Sequence, residues 1–77
     1  MKELLEYIAR HLVDNPDQVE VSVKEGEKSL ILELQVAPQD TGKVIGRNGR
    51  IINAIRTLIK AAAVKKGYTN TIVDVKD

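Results

Sequence analysis

Residues 44–52 read VIGRNGRII, in which two glycines enclose an arginine and an asparagine: Gly46, Arg47, Asn48 and Gly49. Because glycine has no Cβ and tolerates positive φ, the chain can turn sharply here and bring its backbone amides close to another backbone. A segment with helical periodicity follows from Arg50, and the amides and dipole at the start of a helix add positive potential. This stretch therefore predicts a small positively charged surface that could bind a phosphodiester backbone.

The apolar residues on both sides of this stretch predict an α+β fold with the element order α-β-β-α-α-β. Helical spacing predicts helices over residues 4–13, 39–45 and 50 to about 66. Alternation of apolar and polar residues predicts strands at 19–24, 30–36 and 71–75. The first two strands are joined by a short polar turn and should form an antiparallel hairpin. The chain then crosses over through two helices, so we expect a mixed three-stranded sheet with all helices on one face.

The same periodicities predict which side chains form the core. The inward set of the hairpin strands is Val19, Val21, Val23, Leu30, Leu32, Leu34 and Val36. The apolar side of the long helix consists of Ile51, Ile52, Ile55, Leu58, Ile59 and Ala62. The opposite side of that helix is mostly basic or neutral and contains no carboxylate.

Length and composition restrict the possible functions. A chain of 77 residues corresponds to one small domain with one core, so we expect residues 1–77 to form a single domain. There is no cysteine and one histidine, His11. This excludes disulfide scaffolds, thiolate zinc sites, iron–sulfur clusters and thiol nucleophiles. No apolar run reaches the length of a membrane span. We therefore expect a cytoplasmic protein without a membrane span, metal or cofactor.

The charges are distributed unevenly along the chain, although the formal net charge is only +1. Residues 1–38 carry four basic and eight acidic side chains, whereas residues 39–77 carry eight basic and three acidic ones. Between Thr41 and Val73 there are seven lysines or arginines and no acid. A polyanionic partner is therefore plausible for the second half of the chain, while a solvated basic face is the alternative.

The stretch from Ile45 to Ile52 resembles the Ile-Gly-X-X-Gly signature loop of KH domains. Its position between a short and a long helix, and the order helix, two strands, two helices, strand, resemble the type II, prokaryotic arrangement of that fold. The resemblance covers essentially the whole chain. A KH domain of this length further resembles the small single-domain bacterial RNA-binding proteins of the KhpA type. In KH domains this loop clamps the backbone of about four single-stranded nucleotides, whose bases lie in an adjoining groove.

The resemblance implies an RNA-binding site on the loop and beside it. The loop itself would hold the backbone, and the family commonly has a basic residue there, as Arg47 is here. The whole implied set is Lys43, Ile45, Gly46, Arg47, Asn48, Gly49, Arg50, Asn53 and Arg56. Residues 65–70 correspond to the variable loop, a further wall of the groove, and its shortness argues against extended base readout.

Other nucleotide-binding and catalytic classes do not fit the spacing. The glycines at 42, 46 and 49 match neither the dinucleotide fingerprint nor a P-loop. RRM and OB domains bind bases on aromatic faces, but the two aromatic residues of this chain, Tyr7 and Tyr68, are far apart in sequence. The basic segment offers no carboxylate, and the chain has no cysteine, so no general acid–base or nucleophilic set is expected near the loop.

The sequence thus predicts a non-catalytic protein that binds single-stranded RNA with weak base preference. One domain grips few nucleotides, so we expect a homodimer or a pair with a second RNA-binding protein. The resemblance implies an RNA chaperone or post-transcriptional regulator, a larger KH-containing partner, and effects on cell elongation and envelope growth. Two other hypotheses stay open, namely a protein-interaction module that uses the acidic first helix or hairpin, and a binder of single-stranded DNA. Steep salt dependence would favour nucleic acid over protein.

Overall fold

Three strands form one mixed β-sheet. The computed structural model describes residues 1–76, and the strands are β1 (Glu20–Glu25), β2 (Ser29–Gln35) and β3 (Asn70–Val75). The sheet order is β1-β2-β3. β1 and β2 pair antiparallel, with Val21 opposite Leu34, and β2 and β3 pair parallel, with Leu32 opposite Val73. The predicted hairpin and the predicted mixed sheet are both confirmed.

The helices are α1 (Lys2–Leu12), α2 (Thr41–Ile45) and α3 (Arg50–Lys65), and three short 3-10 turns lie at Pro16–Gln18, Pro38–Asp40 and Arg47–Gly49. The element order α-β-β-α-α-β is therefore as predicted. The short helix is shorter than the sequence suggested, because a 3-10 turn beginning at Pro38 precedes α2. Within residues 1–76, no helix combines the length and the apolar character that a membrane crossing requires.

All three helices pack on the same face of the sheet. The alternation in β2 directs its leucines inward, and α1 and α3 supply the opposing layer of aliphatic side chains. The fully or nearly fully buried members of this core include Leu5, Ala9, Leu30, Leu32, Leu34, Val44, Ile52, Ile55, Ile59, Ala63 and Val73. The other face of the sheet is open, and Ile31 and Ile72 lie opposite each other on it, 38% and 40% exposed.

Two residues predicted for the core are exposed. Leu58 is 57% exposed, because the buried stripe of α3 runs through Ile52, Ile55, Ile59 and Ala63, roughly a quarter turn from Leu58. Val23 is 37% exposed. It lines an open cavity together with Met1, Lys2 and Glu3 at the start of the chain.

Candidate nucleic-acid interface

The loop between α2 and α3 begins at Gly46, where the backbone takes a conformation that glycine alone adopts readily. Gly46 has φ 76° and ψ 173°, a region that is costly for any residue with a Cβ. Its amide donates to the carbonyl of Gly42 at 2.9 Å and so ends α2. A Cβ on Gly46 would lie 2.6 Å from Cγ1 of Ile51. Both the backbone conformation and the close packing against α3 therefore require glycine here.

The next turn of the loop contains two consecutive residues in the left-handed region. Asn48 has φ 55° and Gly49 has φ 74°. Asparagine is one of the few residues with a side chain that visits this region readily. The Gly49 amide donates to the Gly46 carbonyl at 3.2 Å, and the Arg50 amide donates to the Arg47 carbonyl. These bonds hold the loop in a compact 3-10 turn that leads directly into α3.

The amides of Arg47 and Asn48 remain without a backbone acceptor in the described part of the chain. They lie beside the first turn of α3, whose leading amides also lack an intrahelical partner and whose dipole makes this end positive. No acidic residue lies in that first turn. The loop therefore provides several hydrogen-bond donors in a region of positive potential, which is an arrangement suited to phosphate oxygens.

Two arginine side chains extend this positive region. Arg47 and Arg50 are exposed, and neither has a carboxylate within ion-pair distance among residues 1–76. Because no neighbouring acid holds them, both guanidinium groups are available to an anionic ligand. Planar guanidinium groups are well suited to bidentate contacts with phosphate.

Lys43, which the sequence also placed in the site, has a different environment. Its Nζ lies 3.1 Å from Oδ2 of Asp14 and 3.7 Å from Oδ1 of Asp40. The hydrogen bond with Asp14 is the main cause that raises the pKa of Lys43, followed by the charge of Asp14. The ammonium group therefore interacts with two carboxylates, that of Asp14 just after α1 and that of Asp40 just before α2. Sequence reasoning missed this because Asp14 lies far from Lys43 in the chain.

Asp40 is the fully buried acid of this cluster. Its Oδ2 accepts hydrogen bonds from the backbone and side-chain nitrogens of Asn15, both at 3.0 Å. Burial acts to raise the pKa of Asp40, but the hydrogen bonds from Asn15 and Asp14 and the charge of Lys43 outweigh it, and the pKa is lowered. This cluster ties the turn after α1 to the start of α2, the helix that leads into the loop.

The remaining predicted residues are Ile45 on α2 and Asn53 and Arg56 on α3. Arg56 donates through Nε to the carbonyl of Val73 at 3.0 Å and through one terminal nitrogen to Oδ1 of Asn53 at 3.2 Å. Ile45 is half-buried and packs against the core, so much of its side chain is structural. The structure thus brings the nine predicted residues together on α2, the loop and the first half of α3. Of these residues, Lys43 has its ammonium group paired with the carboxylates of Asp14 and Asp40.

The contact between Arg56 and Val73 lies at the outer edge of the sheet. The amide of Lys76 donates to the carbonyl of Leu34 at 2.7 Å and so points toward β2. Backbone groups of successive residues in a strand point alternately to its two sides. The amide and carbonyl of Val73, three residues before Lys76, therefore point away from β2. Arg56 therefore covers part of the free edge of β3. No cluster of three His, Asp or Glu side chains that could hold a metal ion is found over residues 1–76.

An α-β-β-α-α-β domain with a mixed sheet and a Gly-X-X-Gly loop between its last two helices is a KH domain of type II. The family model described as "KhpA/KhpB, KH domain" matches residues 2–75. The chain belongs to this family.

Several bacterial proteins are similar to this chain over most of their length. The RNA-binding protein KhpA of Clostridium acetobutylicum is 68% identical over 66 residues, which cover 86% of this chain and 88% of that protein. The RNA-binding protein KhpA of Caldanaerobacter subterraneus subsp. tengcongensis is 62% identical over the same shares. The RNA-binding protein KhpA of Aquifex aeolicus is 48% identical over 87% of this chain and 85% of that protein. No solved structure matches the chain.

Proposed function

We propose that residues 1–77 form a single, non-catalytic KH domain whose Gly46–Gly49 loop holds the sugar–phosphate backbone of single-stranded RNA. The observation that carries this proposal is the pair of amides at Arg47 and Asn48, which have no backbone acceptor in the described chain. The side chains of Arg47 and Arg50 beside them have no acidic partner among residues 1–76. RNA binding itself is supported by the family and by its relatives, which are RNA-binding proteins by name.

In this proposal the backbone of the ligand is bound by charge and by hydrogen bonds. A phosphate accepts hydrogen bonds from the amides of Arg47 and Asn48, and the side chains of Arg47 and Arg50 neutralise its charge. Asn53 and Arg56 flank the path of the strand toward β3. Lys43 acts mainly through Asp14 and Asp40, which keep α2 and hence the loop in place, and only secondarily through its charge. Because phosphates carry no base identity, weak sequence preference is expected.

One domain that holds about four nucleotides gives modest affinity. We therefore propose that the protein acts as a homodimer, or in a complex with a larger KH-containing RNA-binding protein, so that linked sites raise the effective concentration of the RNA. The KH resemblance further supports a role as an RNA chaperone or post-transcriptional regulator in the cytoplasm, with consequences for cell elongation and the cell envelope. Sedimentation of the protein at several concentrations tests the dimer directly.

Fluorescence anisotropy with a labelled, mixed-sequence single-stranded RNA at two salt concentrations tests the proposal. The native protein is compared with a double variant, Arg47→Asp with Asn48→Asp, in which two carboxylates face the phosphate path and leave the core unchanged. The matched control is Gln18→Asp with Lys24→Asp, which changes the net charge equally at exposed positions away from the loop. Circular dichroism checks that all three proteins are folded.

We expect binding that weakens steeply with salt, with a slope of about −0.7 per phosphate contact, and that is lost in the loop variant but kept in the control. Equal binding by native protein and loop variant would place the RNA site elsewhere. Absence of binding by the native protein at low salt would favour the protein-interaction module. Tighter binding to single-stranded DNA of the same sequence would make DNA the ligand.

A further inference from the structure

Lys43 differs from the two loop arginines because acidic side chains hold it. Its Nζ lies 3.1 Å from Oδ2 of Asp14 and 3.7 Å from Oδ1 of Asp40. Arg47 and Arg50 have no carboxylate within ion-pair distance among residues 1–76. The charge of Lys43 is thus largely neutralised within the protein, whereas the charges of the two arginines are not.

The two carboxylates that hold Lys43 lie in very different surroundings. The side chain of Asp40 is fully buried, and its Oδ2 accepts two hydrogen bonds from Asn15, each 3.0 Å long. The side chain of Asp14 is 74% exposed. An exposed ion pair contributes little to stability, and salt screens it. Asp40 is therefore a fixed partner of Lys43, whereas Asp14 is a partner that another anion can replace.

Asp40 can keep Lys43 in place when the contact with Asp14 is lost. The Oδ1 of Asp40 is buried and has no hydrogen-bond partner among residues 1–76, and an unsatisfied charged oxygen in the interior is costly. At 3.7 Å, the ammonium group of Lys43 is just beyond hydrogen-bond distance from this oxygen. A movement of about 1 Å would make the missing bond. Lys43 therefore gains a stabilising contact if it leaves Asp14.

The backbone of Lys43 is also close to the loop. Lys43 lies three residues before Gly46, which corresponds to about 4.5 Å along the axis of α2. Exposed charges interact over about 8 Å at physiological ionic strength. Lys43, and a carboxylate that is paired with it, can therefore affect how strongly a phosphate is bound at the amides of Arg47 and Asn48.

We propose that Asp14 and a phosphate of the bound RNA compete for Lys43, so that Asp14 weakens RNA binding while Asp40 keeps the ammonium group in place. The inference rests on the proposed function and deepens it. When RNA binds, Nζ of Lys43 exchanges Oδ2 of Asp14 for a phosphate oxygen and moves closer to Oδ1 of Asp40. The strength of binding is thereby limited by an acid that does not itself contact the RNA.

Substitution of Asp14 tests the competition directly. Asp14→Asn keeps the size and polarity of the side chain and removes its charge. We expect this variant to bind a mixed-sequence single-stranded RNA about threefold to fivefold more tightly, the upper range for one exposed ion pair. Asp17→Asn is the matched control, because Asp17 is exposed and has no basic side chain within ion-pair distance among residues 1–76. It removes the same charge and should change the affinity by much less.

The effect of Asp14 should depend on Lys43. In a protein that already carries Lys43→Gln, Asp14→Asn should tighten binding no more than Asp17→Asn does, since a cycle of single and double variants isolates the interaction of the pair. Lys43→Gln alone should reduce the salt slope by about 0.7, the value for one phosphate contact on a single strand. Lys24→Gln, which removes an exposed lysine from β1, should leave the slope unchanged.

An NMR measurement on the native protein tests the same exchange without any substitution. The methylene group beside Nζ of Lys43 reports on the partners of the ammonium group, and we expect its signal to shift as RNA is added. The corresponding signal of Lys24 should not move. Circular dichroism checks that every variant in the binding experiments is folded.

Equal gains of affinity in Asp14→Asn and Asp17→Asn, or a gain from Asp14→Asn that persists beside Lys43→Gln, would overturn the competition and leave the loop site standing. Weaker binding by a folded Asp14→Asn protein would also overturn it and show that Asp14 positions the site. An unchanged Lys43 signal at saturating RNA would do so even if a variant failed to fold. Failure of the native protein to bind RNA at low salt would instead refute the proposed function and this inference with it.

Discussion

A Cβ on Gly46 would lie 2.6 Å from Cγ1 of Ile51, so the first residue of the loop packs directly on the first turn of α3. The same glycine has φ 76° and ψ 173°. Steric contact and backbone conformation thus impose the same restriction at one position. The orientation of the Arg47 and Asn48 amides depends on this packing, because both follow Gly46 immediately.

Replacement of Gly46 by alanine should destabilise the fold and weaken RNA binding. The backbone conformation alone costs about 1–3 kcal/mol for a residue with a Cβ, and the contact with Ile51 adds to that cost. Urea denaturation gives the change in the free energy of unfolding, and anisotropy gives the change in affinity.

Gly42→Ala is the matched control for that substitution. A Cβ at Gly42 has no heavy atom within 4 Å, and the residue lies in α2, where alanine is the better helix former. We expect Gly42→Ala to leave stability unchanged or raise it by up to about 1 kcal/mol. Equal losses in the two variants would show that the geometry at Gly46 is not what makes glycine necessary.

Acid should remove the stabilisation that Asp40 provides. The pKa of Asp40 is lowered in the folded protein, because its hydrogen bonds with Asn15 and Asp14 and the charge of Lys43 outweigh burial. A lowered pKa means that this stabilisation is complete above the ordinary aspartate value of about 4 and is lost as pH falls through the folded-state value. The Tm difference between native protein and Asp40→Asn should be constant from neutral pH down to about 4 and should shrink as the pH falls further. A difference in Tm that persists unchanged as the pH falls well below that value would contradict this.

Removal of the Arg56 guanidinium should loosen the edge of the sheet. Its Nε donates to the carbonyl of Val73 at 3.0 Å in a partly buried position, so Arg56→Gln should lower the free energy of unfolding by about 1 kcal/mol. Amide hydrogen exchange should also accelerate in β3. Arg10→Gln serves as the control, because Arg10 is exposed and the distance of 3.9 Å to Glu6 is at the limit of an ion pair, and such surface pairs contribute little. Equal effects of the two changes would mean that the contact with Val73 contributes nothing.

Loss of an apolar side chain should affect stability strongly at one position of α3 and hardly at all at the position next to it. Ile59 is fully buried, and Ile59→Ala should cost about 2–5 kcal/mol. Leu58 is 57% exposed, and Leu58→Gln should change the stability of the monomer by no more than about 0.5 kcal/mol. Chemical denaturation at low protein concentration checks both. A large loss in Leu58→Gln would show that the side chain is covered in solution.

The local signals in the sequence predicted the fold well. The alternation in β1 and β2, the helical spacing of α1 and α3, and the two glycines of the loop each reflect a short-range preference that the tertiary structure keeps. The element order, the parallel pairing of β2 with β3 and the single helical face follow from those signals and from the handedness of crossovers.

The interactions that were not predicted join residues distant in sequence. Asn15 and Asp40 are 25 positions apart, and Arg56 and Val73 are 17 apart. No local pattern indicates that Asp40 turns toward Asn15 instead of capping α2. Periodicity also could not show that Leu58, on the flank of an apolar stripe, has no neighbouring element over it. Coverage of a helix flank depends on where the other helices lie.

The most direct test of the central claim is an NMR titration of the isotopically labelled native protein with short single-stranded RNA, following every backbone amide. If the loop holds the phosphate backbone, the largest shifts will be at the amides of Arg47 and Asn48 and at the first turn of α3. The amides of α1 and β1 will change little. Shifts concentrated on α1 or the hairpin, with the loop amides unchanged at saturation, would contradict the account.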